Sequence, residues 1–162
     1  GTIDVTGATV TGLSAGKVLQ VTEGSTSTPV TNNTTTYVDT GLTASLTTTA
    51  DNSKVLVIVN QNGLLFLSTS SFTHAVTLTL DEDAGTDRTS FNYLGYGIGA
   101  AGYATDARNM TLSFHYLTAA VTSASTTKTF KTKFKKTTAS PSCTGAWQYT
   151  GPSTMILMEI AA

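Results

Sequence analysis

Apolar and hydroxyl-bearing residues alternate along most of this chain with a period of two, the spacing of a strand with one buried and one solvated face. Lys17 to Glu23 sets Leu19 and Val21 against Val18 and Gln20 and predicts a first strand; Gly24 to Thr35, with Pro29, Asn32 and Asn33 among Ser and Thr, reads as loop. Tyr37 to Thr40 is a short strand, and beyond Gly41 the residues Leu42, Ala44 and Leu46 share one face of another. Ala50 to Ser53 makes a turn. In Lys54 to Gln61 the run Val55-Leu56-Val57-Ile58-Val59 is apolar at every position, which predicts a strand covered on both faces, either central in a sandwich or clamped at a subunit interface. Asn62-Gly63 is a strong local hairpin signal.

Further on, Val76, Leu78 and Leu80 share a face, as do Met110, Leu112, Phe114 and Tyr116, with Thr111, Ser113 and His115 opposite. Thr126 to Lys136 puts Phe130, Thr132 and Phe134 inward and Lys131, Lys133 and Lys135 outward; a loop with Pro141, Cys143 and Trp147 then leads to a last strand, Ser153 to Ile160. Gly, Ser and Thr interrupt every window in which a three-turn helix would fit. These segments predict an all-β chain: one antiparallel β-sandwich of jelly-roll type with about eight strands, spanning 16–162. Residues 1–15, which repeat a Val-Thr-Gly step at 5–7 and 10–12, read as an extended stalk remnant or linker in which Ile3, Val5 and Val10 need cover from the domain or from sister chains.

Composition narrows the setting. Thr supplies 35 of the 162 residues while only 12 % are charged, for a formal net charge of −1, so solubility rests on hydroxyls and amides. A phosphate-neutralising basic surplus is absent, which argues against a nucleic-acid partner. No apolar run approaches the roughly 20 residues that span a bilayer, so membrane insertion is not expected. Cys143 is the single cysteine, which leaves a free thiol or an intermolecular disulfide.

Candidate chemistry is sparse. Asp81, Glu82, Asp83 and Asp87 crowd four carboxylates around Gly85, the ligand type that calcium takes, although the spacing is not that of an EF-hand and a solvated acidic loop has the same look. No other metal or cofactor is indicated: His74 and His115 lie far apart, and His115 reads as a surface or interface histidine. A Gly-x-Ser-x-Gly elbow and a distinguished carboxylate pair are both missing, so the reading is non-enzymatic, with no catalytic residue. Lys128, Lys131, Lys133, Lys135 and Lys136 read either as a solvated edge strand or as a positive patch for anionic surface polymers. Tyr93, Tyr96, Tyr103, Trp147 and Tyr149 are candidates for stacking on sugar rings, with Asp106, Arg108 and Asn109 as hydrogen-bonding neighbours; plugging of the sandwich end and subunit contact are the alternatives for the rings.

Four segments in order, Gly16-Lys17-Val18-Leu19-Gln20-Val21, Thr36-Tyr37-Val38-Asp39-Thr40-Gly41-Leu42, Ser53-Lys54-Val55-Leu56-Val57 and Ser153-Thr154-Met155-Ile156-Leu157-Met158-Glu159-Ile160, resemble segments shared by structural proteins of tailed phages, many of them marine. The resemblance spans roughly 16–160 and implies a virion surface module, the head domain of a tail fibre or of a capsid-attached fibre, expected as a homotrimer joined to other virion proteins through its N-terminus. The resemblance carries over no host ligand; with the aromatic candidates above, the expected role is attachment to a host surface polysaccharide, a capsid decoration or head-fibre protein is the alternative, and a carbohydrate-binding module of a secreted protein is a third.

Overall fold

A computed structural model of the chain describes residues 16–67, 73–96, 106–136, 143–147 and 151–162. The stalk-like segment 1–15 lies outside the described residues. Ten strands follow one another: β1 (Val18–Thr26), β2 (Val30–Asn32), β3 (Val38–Thr47), β4 (Lys54–Leu67), β5 (Thr73–Glu82), β6 (Thr86–Tyr96), β7 (Asp106–Leu117), β8 (Thr127–Lys136), β9 (Cys143–Trp147) and β10 (Ser153–Ile160).

They form two sheets, and every pairing is antiparallel. β4 pairs along its length with β7; its other edge meets β10 over Lys54–Asn60 and then β9 over Gly63–Leu67. β1 covers β10 and β2 covers β9, so β1 with β2, and β9 with β10, each act as one interrupted strand. Counted so, eight strand positions remain, ordered 1-8-3-6 in this first sheet and 2-7-4-5 in the second, which runs β3-β8-β5-β6. First pairs with eighth, second with seventh, third with sixth and fourth with fifth: a long nested hairpin rolled into a double layer, the topology of a jelly roll.

The core forms where the inward faces meet. Leu42, Leu46, Val55, Val57, Val59, Val76, Leu78, Leu80, Phe130, Phe134, Met155 and Leu157 are all buried there, at alternate positions of their strands. Two polar features thread this core. The Thr40 hydroxyl, which accepts from the Leu42 amide (3.1 Å), donates to Thr132 Oγ1 (2.6 Å), which donates to Gln61 Oε1 (2.8 Å). Gln61 Nε2 then donates to Ser153 Oγ (3.0 Å), which also accepts from the Asn62 amide (2.8 Å). All four side chains are buried, and the relay passes from the second sheet to the first with at least one partner for each of its side-chain polar atoms. Thr40 reaches it through a bulge at Thr40–Leu42, where Gly41 has φ 85°, a left-handed conformation that glycine adopts without strain.

The second feature is Glu159, at the last inward position of β10. Its Oε1 accepts from the amides of Thr49 (2.8 Å) and Ala50 (3.1 Å), and its Oε2 from Gln20 Nε2 (2.7 Å) and Thr49 Oγ1 (2.8 Å). Burial alone raises its pKa, but these donors outweigh desolvation and bring it down to about 2. Ser53 Oγ also favours the charged form, although it meets no partner in hydrogen-bonding geometry. The carboxylate thus ties the last strand to β1 and to the β3–β4 turn.

The structure corrects four sequence expectations. Asn62-Gly63 is no hairpin: β4 runs straight through it, because β7 and β9 pair with the chain on both sides there and the ladder outweighs a local turn preference. The segment 24–35 is not all loop, since β1 continues to Thr26 and β2 follows. The stretch around Cys143 and Trp147 forms β9 rather than loop. β8 is no edge strand; it lies between β3 and β5.

Two outcomes follow. A Cβ on Gly24 would lie 1.9 Å from the Thr43 carbonyl oxygen, because β1 and β3 of opposite sheets close on each other there. Gly24→Ala is therefore expected to cost about 2–3 kcal/mol in urea unfolding; a midpoint equal to that of the parent chain would deny that contact. Because the Glu159 pKa is lower in the folded state than the 4.5 expected when unfolded, its contribution is present above about pH 4.5 and is lost as pH falls toward about 2. That loss amounts to about 3 kcal/mol, and Glu159→Gln should flatten this part of a stability-against-pH curve.

Candidate functional site

The two outer faces of the sandwich differ in kind. On the second sheet, β5 places Thr77, Thr79 and Asp81 outward beside Lys135, Lys133 and Lys131 of β8. Lys133 Nζ lies 3.1 Å from both Asp81 and Asp87, while Lys131 Nζ lies 3.0 Å from Asp39 and 3.9 Å from Asp81. At the sheet end, Lys128 Nζ bridges Glu82 (2.9 Å) and Asp83 (2.6 Å), and Arg88 Nε donates to Glu82 (2.6 Å). Hydrogen bonds to Asp83 and Glu82 raise the Lys128 pKa. For Lys133, desolvation pulls the other way but yields to Asp87 and Asp81. Asp83 is lowered, its desolvation outweighed by Lys128 and the Thr129 amide.

These contacts settle how the acidic cluster and the lysines sit together. Asp81 and Glu82 end β5, Asp87 lies at the start of β6, and the tight turn between them passes through left-handed Asp83 (φ 53°) and Ala84 (φ 55°), with the Gly85 amide on Asp81 Oδ1 at 2.9 Å. The four carboxylates face cations across the sheet instead of converging on a common point. Among the described residues no group of three or more His, Cys, Asp and Glu side chains is placed to hold a metal ion. Lys128, Lys131 and Lys133 are neutralised in the same lattice, and Lys135 Nζ rests 4.4 Å from the Tyr37 ring centroid, so the face offers little free positive charge to an anionic polymer. Lys136 is buried.

The outer face of the first sheet is apolar. Strand register aligns Val21, Met158, Leu56 and Leu117 in one row across β1, β10, β4 and β7, and Glu23, Ile156, Ile58 and His115 in the next. Val21 is 54 % exposed, Leu117 47 % and Ile58 37 %, while Leu56, Ile156, Met158 and Ile160 are half-buried. A shallow groove of about 370 Å³ opens between Leu56, Ile58, Ser113, Phe114 and His115. His115 is exposed on this face, as its place opposite Phe114 and Tyr116 implies. A row of Ser25, Thr154, Asn60 and Ser113 closes the patch with polar groups. The signal for this face was in the sequence as the doubly apolar run 55–59, joined by Ile156, Met158 and Ile160 in the last strand.

The proposed sugar-stacking residues fall mostly outside the described side chains. Tyr103 and Tyr149 lie outside the described residues altogether. Tyr93 and Tyr96 are on β6, Asp106, Arg108 and Asn109 on β7, and Trp147 on β9, with backbones placed and side chains outside the described set. Backbone register brings some of them to one end of the sandwich: Tyr96 pairs with Thr73, and Leu67 pairs with both Asp106 and Cys143. Trp147 pairs with Gly63 and Val30, further along the first sheet.

No family model matches the chain, and no curated protein matches it. Among solved structures it overlaps with dimeric latent PorU of Porphyromonas gingivalis at 9 % identity, covering 93 % of this chain and 14 % of that one, with a TM-score of 0.40. It overlaps with the T13 particle of infectious bursal disease virus at 13 % identity, covering 100 % and 40 %, with a TM-score of 0.38. The Gx strain of the same virus gives 12 %, 88 %, 37 % and 0.34. The chain spans less than half of each of these, and overlaps this loose decide nothing about kinship; the strand order alone carries the fold.

The ion-pair lattice generates a test of the calcium reading. Millimolar calcium is expected to leave the melting temperature within about 1 °C, since an ion would have to displace lysines already seated on these carboxylates. A rise of several degrees, abolished by Asp81→Asn, would show that a calcium site forms at their expense.

Proposed function

We propose that this chain is a non-enzymatic structural module of a virus particle, a capsid decoration or head-fibre protein whose work is to pack against other virion proteins. The observation that carries the reading is the apolar outer face of the first sheet. A self-contained domain has no need of Val21, Leu56, Ile58, Leu117, Ile156 and Met158 on a solvated surface, and patches of this kind mark surfaces that another protein covers. The ordered phage-like segments support the virion setting, and a jelly roll is an architecture that shells and fibres use as well as lectins. Location on the outside of a particle also fits a surface solubilised by hydroxyls with little charge.

A second reading is attachment: a fibre head that binds a host glycan. It is favoured by the strand register, which pairs Leu67 with both Asp106 and Cys143 at one end of the first sheet and Thr73 with Tyr96 in the second. In that reading Tyr93, Tyr96, Tyr103, Trp147 and Tyr149 stack on sugars, with Asp106, Arg108 and Asn109 beside them.

Antibodies raised against the full chain, applied to particles purified from the source of the sequence, are expected to label the capsid surface. A glycan array probed with the same chain should show no binding that Trp147→Ala or Tyr96→Ala removes. Label confined to a fibre tip, with glycan binding that those substitutions abolish, would replace the structural role with attachment; particles without label would remove the virion reading.

A further inference from the structure

We infer that the apolar outer face of the first sheet is a self-docking surface, on which a second copy of this chain packs face to face about a two-fold axis centred on Met158. The inference takes its biological setting from the assembly reading above and names the partner of that surface.

The argument rests on where the charges sit. Among the described side chains of β1, β10, β4 and β7, the outward face carries two charged groups, Glu23 on β1 and Lys54 on β4. Both are exposed, and neither has an ion-pair partner among the described residues of its own chain. Glu23 stands in the Ile156–Ile58 row and Lys54 beside Ile160, two strands and two rows apart. With strands about 4.8 Å apart and about 6.8 Å between same-face residues, that is roughly 17 Å, far beyond pairing distance within one sheet.

The point midway between them is Met158, one strand and one row from each. Two identical faces related by a two-fold axis lying between them meet as mirror images across that axis. An axis through Met158, perpendicular to the line from Glu23 to Lys54, sets Glu23 of each copy over Lys54 of the other, giving two ion pairs. The same operation lays Val21 over Ile160, Leu56 over the Ile156 region and Ile58 toward Leu117, so these apolar residues meet apolar residues, and it sets the exposed His115 of each copy on the axis against its mate. The polar row Ser25, Thr154, Asn60 and Ser113 falls outside the contact. A closed trimer, expected from the sequence, instead requires two different patches to meet, and this face is complementary to itself.

Size sets the strength. The patch measures roughly 300–400 Å² per copy, so a pair buries roughly 600–800 Å², less than the roughly 1,000 Å² of a stable specific interface; the contact is a weak and transient one that gains strength where many copies are held together.

Sedimentation equilibrium of the full chain from about 1 to 300 µM is expected to show a monomer–dimer equilibrium. Ile58→Asp should weaken it at least about tenfold without lowering the melting temperature, because Ile58 points away from the core. Glu23→Lys and Lys54→Glu should each weaken it several-fold by opposing like charges, and the double reversal should restore it to within about threefold of the parent. A monomer throughout the range, a trimer, or a double reversal as weak as the single variants would overturn the inference. A dimer that obeys the charge swap, with no label on particles, would leave this interface standing and remove the virion reading alone.

Discussion

A sheet that is apolar on both sides has to be covered on both sides, and that constraint organises this molecule. β4 and β10 run side by side with Val55, Val57, Val59, Met155 and Leu157 facing inward and Leu56, Ile58, Ile156 and Met158 facing outward. The inward set is satisfied by the second sheet, whose Phe130, Phe134, Leu78 and Leu80 complete the core. Among the described residues the outward set has no second layer. The second sheet has the opposite character, since its outer face is occupied by lysines, carboxylates and threonines that satisfy one another. One face is therefore finished by its own side chains, and the other calls for a partner; the functional reading grows from that asymmetry.

The interior adds position to cohesion. Hydrophobic burial is indifferent to a small slide of one layer over the other, whereas a chain of directed hydrogen bonds is not. The relay from Thr40 through Thr132 and Gln61 to Ser153 accepts a single arrangement, and it lies where β4 exchanges β10 for β9 as neighbour. Glu159 performs the same service at the other end by binding β10 to Gln20 and to the turn at Thr49 and Ala50. Together they hold the outer row of Val21, Met158, Leu56 and Leu117 in register, so that the docking face is preformed.

Much of this was legible in the sequence wherever one period dominated. Leu42-x-Ala44-x-Leu46, Val76-x-Leu78-x-Leu80 and Phe130-x-Thr132-x-Phe134 all turn inward as their alternation requires. The failures share a cause, which is that pairing between distant strands overrides local preference. Asn62-Gly63 favours a turn in isolation, but neighbours 49 and 91 residues away, Thr111 and Ser153, bond to Asn62 and keep the strand straight. The lysines of β8 looked like guards of an exposed edge because nothing in the local pattern shows that Asp39 and Asp81 lie on the flanking strands and Asp87 on the strand beyond. Gln61 and Glu159 carried no local signal at all. A polar residue at an inward position becomes meaningful only once its partners, 71 and 110 residues away, are in place.

Oxidative footprinting of Met158 tests the central claim most directly, because that thioether stands at the middle of the outer face and Met155, buried on the opposite side of the same strand, serves as an internal reference. The account predicts that hydroxyl-radical oxidation of Met158 falls several-fold relative to Met155 as the chain is concentrated from dilute to hundreds of micromolar, and falls as far in the assembled particle. A ratio that stays constant across concentration and assembly would mean that the face remains open to solvent, and would contradict it.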